Sequence, residues 1–179
     1  MDKIDIVPII VRHLDTLRDY SSHQRKLSDL AVFFGLPLVA SGVALYLGWS
    51  LSVEALNALL ASFAIFAGLL LNLLILVYTF STDANNPSAL SKVRAIVTRE
   101  LHDNIAYSVL VSVMIVVIAL IAIAVAKKGD PGGGHTGRYI SSALIYLTAN
   151  FVLTLLMILK RIHTMLGEKL KQVSIRRAS

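Results

Sequence analysis

The stretch Ala55–Thr82, ALNALLASFAIFAGLLLNLLILVYTFST, contains no charged residue and no histidine over 28 positions. Three further stretches share this property, Leu30–Val53, Asn104–Ala126 and Tyr139–Leu159, with 24, 23 and 21 residues. A helix rises about 1.5 Å per residue, so about 20 residues cross a hydrocarbon core about 30 Å thick. A helix in water needs a polar stripe, which these stretches lack. The sequence therefore predicts an all-α, polytopic membrane protein: a four-transmembrane-helix bundle with short cytosolic amphipathic helices.

The apolar stretches also predict the organisation of the chain. We expect spans at about 30–50, 55–80, 105–126 and 139–159, within one transmembrane domain over residues 30–159. Residues 1–29 are expected to form a cytosolic amphipathic segment, and residues 160–179 a basic cytosolic helix or tail. The first apolar stretch is too long for the core of a cleavable signal, so we expect it to remain as the first span. The loops and tails leave no room for a separate soluble catalytic domain.

Basic residues are distributed unevenly between the two sides of this predicted bundle. Of the 17 Lys and Arg residues, fourteen lie before the first stretch, between the second and third, or after the fourth. The remaining three are Lys127, Lys128 and Arg138, between the third and fourth stretches. Because cytoplasmic loops carry the excess of Lys and Arg, both termini and the Asp83–Asp103 loop are predicted to be cytoplasmic.

The segment before the first span is predicted to be a short amphipathic helix. Pro8 suits its first turn, and Ile10, Leu14 and Leu17 recur at helical spacing. Such a helix can lie on the headgroups or pack beneath the bundle. It can also provide a docking surface for a cytosolic protein partner.

Small residues recur in the first two spans at spacings that allow close helix packing. Ala40, Ala44 and Gly48 follow one another at four-residue intervals in the first span, and Ala64 and Gly68 do so in the second. Only a few residues join these two spans. We therefore expect them to form a tight antiparallel hairpin.

Asn72 and Asn150 are the strongest polar groups at membrane depth. An interhelical hydrogen bond to such an amide contributes roughly 0.5–2 kcal/mol, so both residues are candidates for joining helices within or between subunits. The alternative is a polar lining of a pore in a homo-oligomer. Smaller polar residues extend either arrangement: Ser62, Ser108, Ser112, Thr148 and Thr154.

The region after the fourth span is basic. Lys or Arg near an anionic bilayer surface contributes about 1 kcal/mol per residue, so anionic lipid headgroups are the expected partner. An acidic protein or a nucleic acid is an alternative, with direct nucleic-acid binding not favoured. The candidate residues for this contact are Lys160, Arg161, Lys169, Lys171, Arg176 and Arg177.

Several classes of function lack the residues they need. No charged residue and no histidine lies within the four apolar stretches, which argues against an ion-coupled transporter. The chain has no cysteine, and its five histidines show no ligand spacing, so no metal site or cofactor is predicted. His102 and Asp103, beside Glu100, are expected to be solvated residues at a helix end. No catalytic residue is assigned, and we do not expect an enzyme.

The plan of the chain resembles the small four-transmembrane-helix effector proteins of bacterial antiviral defence systems. The resembling features are the charged N-terminal segment ending at Leu27–Asp29, the apolar Leu69–Leu76, the Arg99–His102 entry into the third span and the closing Met157–Ile162. The resemblance implies a multi-pass protein of the bacterial inner (cytoplasmic) membrane. It also implies assembly in that membrane and its permeabilisation or depolarisation once a partner senses infection.

Three functions fit these features. The leading hypothesis is an oligomeric inner-membrane effector that forms a pore, or depolarises the membrane, when triggered from the cytoplasm in abortive-infection defence. The alternative is a non-conducting membrane anchor that recruits a cytosolic sensor or nuclease to the inner leaflet. A small-solute transporter is the third.

Overall fold

The fold was analysed in a computed structural model. The structure describes residues 6–16, 27–82, 89–127 and 135–178, with side chains at 6–14, 16, 31–79, 98–126 and 137–163. Within those ranges the chain forms α1 (Val7–Thr16), α2 (Leu27–Tyr46), α3 (Val53–Thr82), α4 (Ala89–Lys127) and α5 (His135–Ala178). The predicted all-α class is confirmed.

Three of the helices are long and apolar enough to cross a membrane. Their apolar parts are Val53–Thr79 in α3, Thr98–Ala126 in α4 and Gly137–His163 in α5. The apolar part of α2, Ala31–Tyr46, is shorter. The helices are therefore compatible with a membrane protein, while the four-span arrangement stays a prediction.

The end of α2 at Tyr46 has a local cause. Gly48 has φ +69°, a left-handed conformation that glycine adopts without steric cost. The amide of Gly48 donates to the carbonyl of Leu45, and the amide of Trp49 donates to that of Ala44. This hydrogen-bond pattern is the Schellman motif, which ends a helix. The helix therefore ends at Tyr46 although the apolar stretch continues past it, and the span at about 30–50 stays a prediction.

The connection between α2 and α3 is attached to α5. Ser52 caps α3, since its hydroxyl accepts a hydrogen bond from the amide of Ala55 at 3.2 Å. The amide of Leu51 donates to the hydroxyl of Ser141, at the start of α5, at 2.9 Å. Residues 47–52 therefore lie against the start of α5, with α2 and α3 leaving that point separately.

The expected hairpin of the first two spans is wrong. In the part of the chain that the structure describes, α2 packs on α5, α5 on α4 and α4 on α3, whereas α2 and α3 do not pack together. The hydroxyl of Ser142 donates to the carbonyl of Ser41 at 2.9 Å, which joins α5 to α2. The amphipathic helix α1 packs on α4. A short connection thus links two helices that are not neighbours.

Helix α4 carries the central seam of the bundle. Its buried residues alternate at spacings of four and three, as in left-handed coiled-coil packing. They include Leu101, Ile105, Ser108, Ser112, Ile115, Ala119 and Ala122. On α3 only every seventh residue is buried: Leu56, Phe63, Leu70 and Val77. The ring of Phe151 on α5 lies 4.9 Å from that of Phe63, so α3 also touches α5.

Large apolar side chains cover the outside of the bundle. Leu38 and Val39 on α2, Ile75 on α3 and Leu120 on α4 are all exposed. Soluble monomers rarely expose contiguous apolar patches of this kind. The outer surface thus agrees with an environment of acyl chains.

Candidate functional site

Polar side chains meet at the end of the bundle where α1 lies, which we call the α1 end. They come from three helices and are surrounded by apolar residues. We name this group the His13 cluster; its members are His13, Thr16, Asn104, Tyr107, Asn150 and Arg161.

His13 is the centre of the cluster and is fully buried, with 0% of its surface exposed. Its Nδ1 lies 2.8 Å from Oδ1 of Asn104, an atom that only accepts, so Nδ1 carries the proton. The imidazole stacks on the ring of Tyr107, with centroids 3.8 Å apart and planes 3° from parallel. The centroid of the Phe33 ring on α2 lies 5.3 Å from that of the imidazole. His13 therefore joins α1 to both α4 and α2.

Burial lowers the pKa of His13 from its ordinary 6.5 to about 4. The hydrogen bond to Asn104 acts in the opposite direction, the charge of Arg161 lowers the pKa further, and the charge of Asp103 raises it. Desolvation is the largest of these effects. The imidazole is consequently neutral at pH 7.

Thr16 connects α1 to α5 as well as to α4. Its hydroxyl lies 2.6 Å from the carbonyl of His13 and 2.8 Å from Oδ1 of Asn104, and it donates to these as alternatives. Its backbone carbonyl accepts a hydrogen bond from Nη2 of Arg161 at 2.9 Å. Nη1 of the same guanidinium pairs with the carboxylate of Glu100. The last residue of α1 is thus held by both long helices.

The cluster continues into the interior between α4 and α5. The hydroxyl of Tyr107 donates to Oδ1 of Asn150 at 2.9 Å, and Asn150 is almost fully buried. Thr154 and Ser108 donate to the carbonyls four residues earlier, at 3.0 Å each, and Ser112 to the carbonyl of Val109 at 2.8 Å. Each of these three hydroxyls therefore donates its hydrogen bond to a backbone carbonyl of its own helix.

Four buried polar atoms in and near the cluster have no hydrogen-bond partner among the residues described: Nε2 of His13, Nδ2 of Asn104, Nδ2 of Asn150 and Oγ1 of Thr148. A buried polar atom left unsatisfied costs about 1–3 kcal/mol. Two of the four, on His13 and Asn104, lie at the contact between α1 and α4. That contact is therefore less favourable than an apolar one of the same size.

The structure divides the predicted polar residues into two groups. Asn150, Ser108, Ser112 and Thr154 are buried in the interior, and Thr148 on α5 is half-buried with its hydroxyl enclosed. Asn72 and Ser62 instead lie on the exposed surface of α3. In the first group Asn150 joins α5 to α4 through Tyr107, whereas Ser108, Ser112 and Thr154 bond within their own helices. The second faces whatever surrounds the bundle.

The predicted helix-packing residues are similarly divided. Ala44 is buried, whereas Ala40, Ala64 and Gly68 are exposed. Gly48 lies beyond the end of α2, where a Cβ atom would come within 3.2 Å of the Arg138 guanidinium carbon.

An exposed stripe of small and polar residues follows α3. Its members are Asn57, Ala61, Ala64, Gly68 and Asn72, spaced by three or four residues. At about 100° per residue, Asn72 lies on the opposite side of α3 from the buried Phe63 and Leu70. We call this set the α3 outer stripe.

The predicted basic contact residues are only partly described. Lys160 is exposed, while Arg161 belongs to the His13 cluster. The side chains of Lys169, Lys171, Arg176 and Arg177 lie outside the described set, although α5 includes their backbone. Asn86 followed by Pro87 is the residue pair that the sequence predicts as the cap at the start of α4, and both lie outside the residues described.

Sequence reasoning missed the importance of His13, Thr16, Asn104 and Tyr107. The available signal was the spacing of Asn104, Ser108 and Ser112, which places polar groups on one face of an apolar stretch. The expectation that Asp103 is solvated is wrong, because it is 9% exposed and its Oδ1 lies 3.5 Å from Nδ1 of His102. Nothing in the sequence indicated that a histidine of α1 would face the bundle.

No family model, curated protein or solved structure matches the chain. The described residues contain no group of three His, Cys, Asp or Glu side chains able to hold a metal ion. Chemically, the His13 cluster can hold α1, α4 and α5 together. Function has to be inferred from this cluster and from the α3 outer stripe.

Proposed function

We propose that this protein is an oligomeric membrane effector that opens or disrupts the bilayer when it is triggered from the cytoplasm. The bilayer is the bacterial inner membrane, and the setting is antiviral, abortive-infection defence. The setting is supported by the resemblance in layout alone. The membrane activity is supported by features of the bundle itself.

In this proposal α2 to α5 form four spans. At about 1.5 Å per residue, the 20 residues of α2 extend about 30 Å, which matches the hydrocarbon thickness. The attachment of α2 along α5, through Ser41 and Ser142, favours a shared environment for both helices. Four spans, together with the distribution of Lys and Arg, put both termini in the cytoplasm.

The outward position of Asn72 on α3 carries the proposal of assembly and pore formation. The small residues Ala64 and Gly68 permit close approach of another helix, which joins the copies, while the amide of Asn72 faces the water of the lumen. Asn150 already bonds Tyr107 inside the subunit, so it is less available for a lumen. Copies joined through α3 would bring several Asn72 amides around one axis.

The His13 cluster supplies a trigger for this activity. It attaches α1 to α4 and α5 through contacts that include buried, unsatisfied polar atoms. Such a contact has two accessible states, docked and released, whose balance a cytoplasmic partner can shift. Release of α1 would remove the side chains that cover Asn104 and Tyr107.

A membrane anchor remains the second candidate, and one observation favours it. Helix α4 begins at Ala89, before its apolar part, and α5 continues to Ala178, after its own. These extensions would project together from the bilayer as a surface for a cytosolic protein. An anchor predicts partner recruitment without ion flux.

Ion flux from vesicles containing the purified chain tests the proposal, with membrane potential after induced expression as the cellular counterpart. Asn72→Leu should reduce flux while the oligomer persists on native gels. Ser62→Leu is the matched control, since Ser62 is also an exposed polar residue of α3 but lies about 80° away around the helix. Unchanged potential and dye exclusion in the triggered system would overturn the proposal; a lower oligomer yield for Asn72→Leu would show that Asn72 joins subunits instead.

A further inference from the structure

Helix α1 is organised in the opposite sense to an amphipathic helix on a soluble protein. The buried side chains of α1 are polar, His13 and Thr16, with the half-buried Ile9 between them around the helix. Large apolar side chains face away: Val7 is 62% exposed and Val11 48%, and Ile10 is also exposed. In water this arrangement would expose the apolar side chains to solvent, which is unfavourable, while polar side chains occupy the buried positions.

The level at which α1 docks is marked independently by three helices. Asn104, which bonds His13, is the first residue of the uncharged stretch of α4, and Tyr107 lies one turn further in. Phe33, which packs on His13, is the fourth residue of the uncharged stretch Leu30–Val53. Each marker belongs to the first turn or two of an apolar segment.

The third marker lies on α5. Arg161, which binds the carbonyl of Thr16, comes two residues after Leu159, where the uncharged stretch ends. The contacts of α1 with α2, α4 and α5 therefore all fall at the boundary between charged and uncharged sequence. For a membrane-inserted bundle this boundary is the level where headgroups meet acyl chains.

A second side of α1 is polar and exposed. Arg12 follows Val11 by about 100° around the helix, and Pro8 lies on the same side as Arg12. Exposed residues on α1 thus form an apolar side centred near Val7 and Val11, and a flank that carries Arg12. Amphipathic helices that lie in the membrane interface have this division.

We propose that α1 is an interfacial helix, with its Val7–Ile10–Val11 side covered by acyl chains of the adjacent leaflet and its Arg12 flank directed toward the headgroups. Lipid is the occupant because the docking level is that of the hydrocarbon boundary. The proposal rests on the membrane insertion proposed above. It adds that α1 is held from two sides, by polar contacts to the bundle and by apolar contact with lipid.

Tryptophan quenching by brominated lipids tests this placement. Trp49 is the single tryptophan of the chain, so Trp49→Phe gives a background without emission from that side chain. Ile10→Trp and Val11→Trp then report on the apolar side of α1, and Arg12→Trp on its polar flank. Val117→Trp, at an exposed position within the apolar part of α4, reports membrane insertion. All four are reconstituted in phosphatidylcholine bilayers brominated at shallow or deep acyl positions.

We expect shallow bromines to quench Ile10→Trp and Val11→Trp more strongly than deep bromines do, and deep bromines to quench Val117→Trp most. Arg12→Trp should be quenched less than Val11→Trp at either depth. Quenching of Val117→Trp without quenching of the two α1 reporters would overturn this inference and leave membrane insertion standing. Blue-shifted but unquenched α1 reporters would also overturn it, since a second copy or another protein would then cover α1. If Val117→Trp were unquenched as well, membrane insertion itself would fail.

Discussion

Nδ1 of His13 donates a 2.8 Å hydrogen bond to Oδ1 of Asn104, across 91 positions of sequence. This bond, together with the stacking of the imidazole on Tyr107, joins a short N-terminal helix to the central helix of the bundle. Each of the two residues has a second buried polar atom, Nε2 of His13 and Nδ2 of Asn104, with no hydrogen-bond partner among the described residues. The link is therefore specific in geometry but leaves part of its polar surface unsatisfied.

Replacing His13 by Ala should release α1. The substitution removes the stacked ring, which contributes about 0.5–1.5 kcal/mol, and leaves the amide oxygen of Asn104 with one partner fewer, at a further cost of about 1 kcal/mol. We expect amide hydrogen exchange across Val7–Thr16 to accelerate by about tenfold or more. Exchange in the buried part of α5 around Phe151 should not change.

Arg12→Lys is the control for that substitution, because Arg12 is an exposed neighbour on the same helix and lysine keeps its charge. Its exchange pattern should match that of the unmodified chain. Equal protection of α1 in His13→Ala and Arg12→Lys would show that the His13 contacts do not hold α1. If release is the trigger, His13→Ala should also raise ion flux from vesicles.

Acid should weaken the docking of α1. The pKa of His13 is about 4 when docked and near 6.5 when released, so the released state binds more protons between these values. Docking is therefore fully stable above pH 6.5 and loses up to about 1.4 kcal/mol per pH unit as the pH falls toward 4. Asp103 on α4 opposes this loss and Arg161 on α5 increases it.

Hydrogen exchange of α1, corrected for the intrinsic pH dependence of exchange, measures this effect. The double variant His13→Phe/Asn104→Leu is the control, since it fills the same positions with apolar side chains that do not titrate. Its α1 should stay protected throughout the range. An equal loss of protection in both proteins would assign the pH dependence to another group.

The Schellman end of α2 should be sensitive to a single methyl group. Gly48→Ala places a Cβ on a residue with φ +69° and within 3.2 Å of the Arg138 guanidinium, so we expect a loss of about 1–2 kcal/mol in stability. Gly42→Ala is the matched control, because a Cβ there meets nothing within 4 Å and its conformation is helical. Thermal unfolding in detergent should show a lower midpoint for Gly48→Ala alone.

Much of the secondary structure could be predicted from the sequence, because it follows from local chemistry. Long uncharged stretches allow only helices in a bilayer, and they coincide with the apolar parts of α3, α4 and α5. The first turn of α1 contains Pro8, as expected. The continuation of α5 beyond Leu159 follows from helical spacing that persists there.

The neighbours of each helix could not be predicted in this way. The connection over residues 47–52 is short, yet it leads α2 and α3 to different partners, because Leu51 is bound by Ser141 of α5. Which helix accepts such a bond depends on the whole bundle. The end of α2 at Tyr46 depends similarly on one glycine within an uninterrupted apolar stretch.

The candidate site was predicted only in part, again for a physical reason. Asn150 and Ser112 were recognisable as polar groups at depth, but their inward direction follows from packing against α4 and α5. His13 was not recognisable, since a histidine in a charged segment is ordinarily solvated. Its burial follows from α1 folding back onto the polar end of α4.

The central claim is that copies of this chain enclose a path lined by Asn72 of α3. The reversal potential of any current through bilayers containing the reconstituted protein, measured in a salt gradient, tests it most directly. Asn72→Asp should shift the reversal potential toward that of the cation, and Asn72→Lys toward that of the anion, because a ring of like charges selects counter-ions. Absence of current from both the unmodified chain and His13→Ala, or identical reversal potentials in the two Asn72 variants, would contradict the claim.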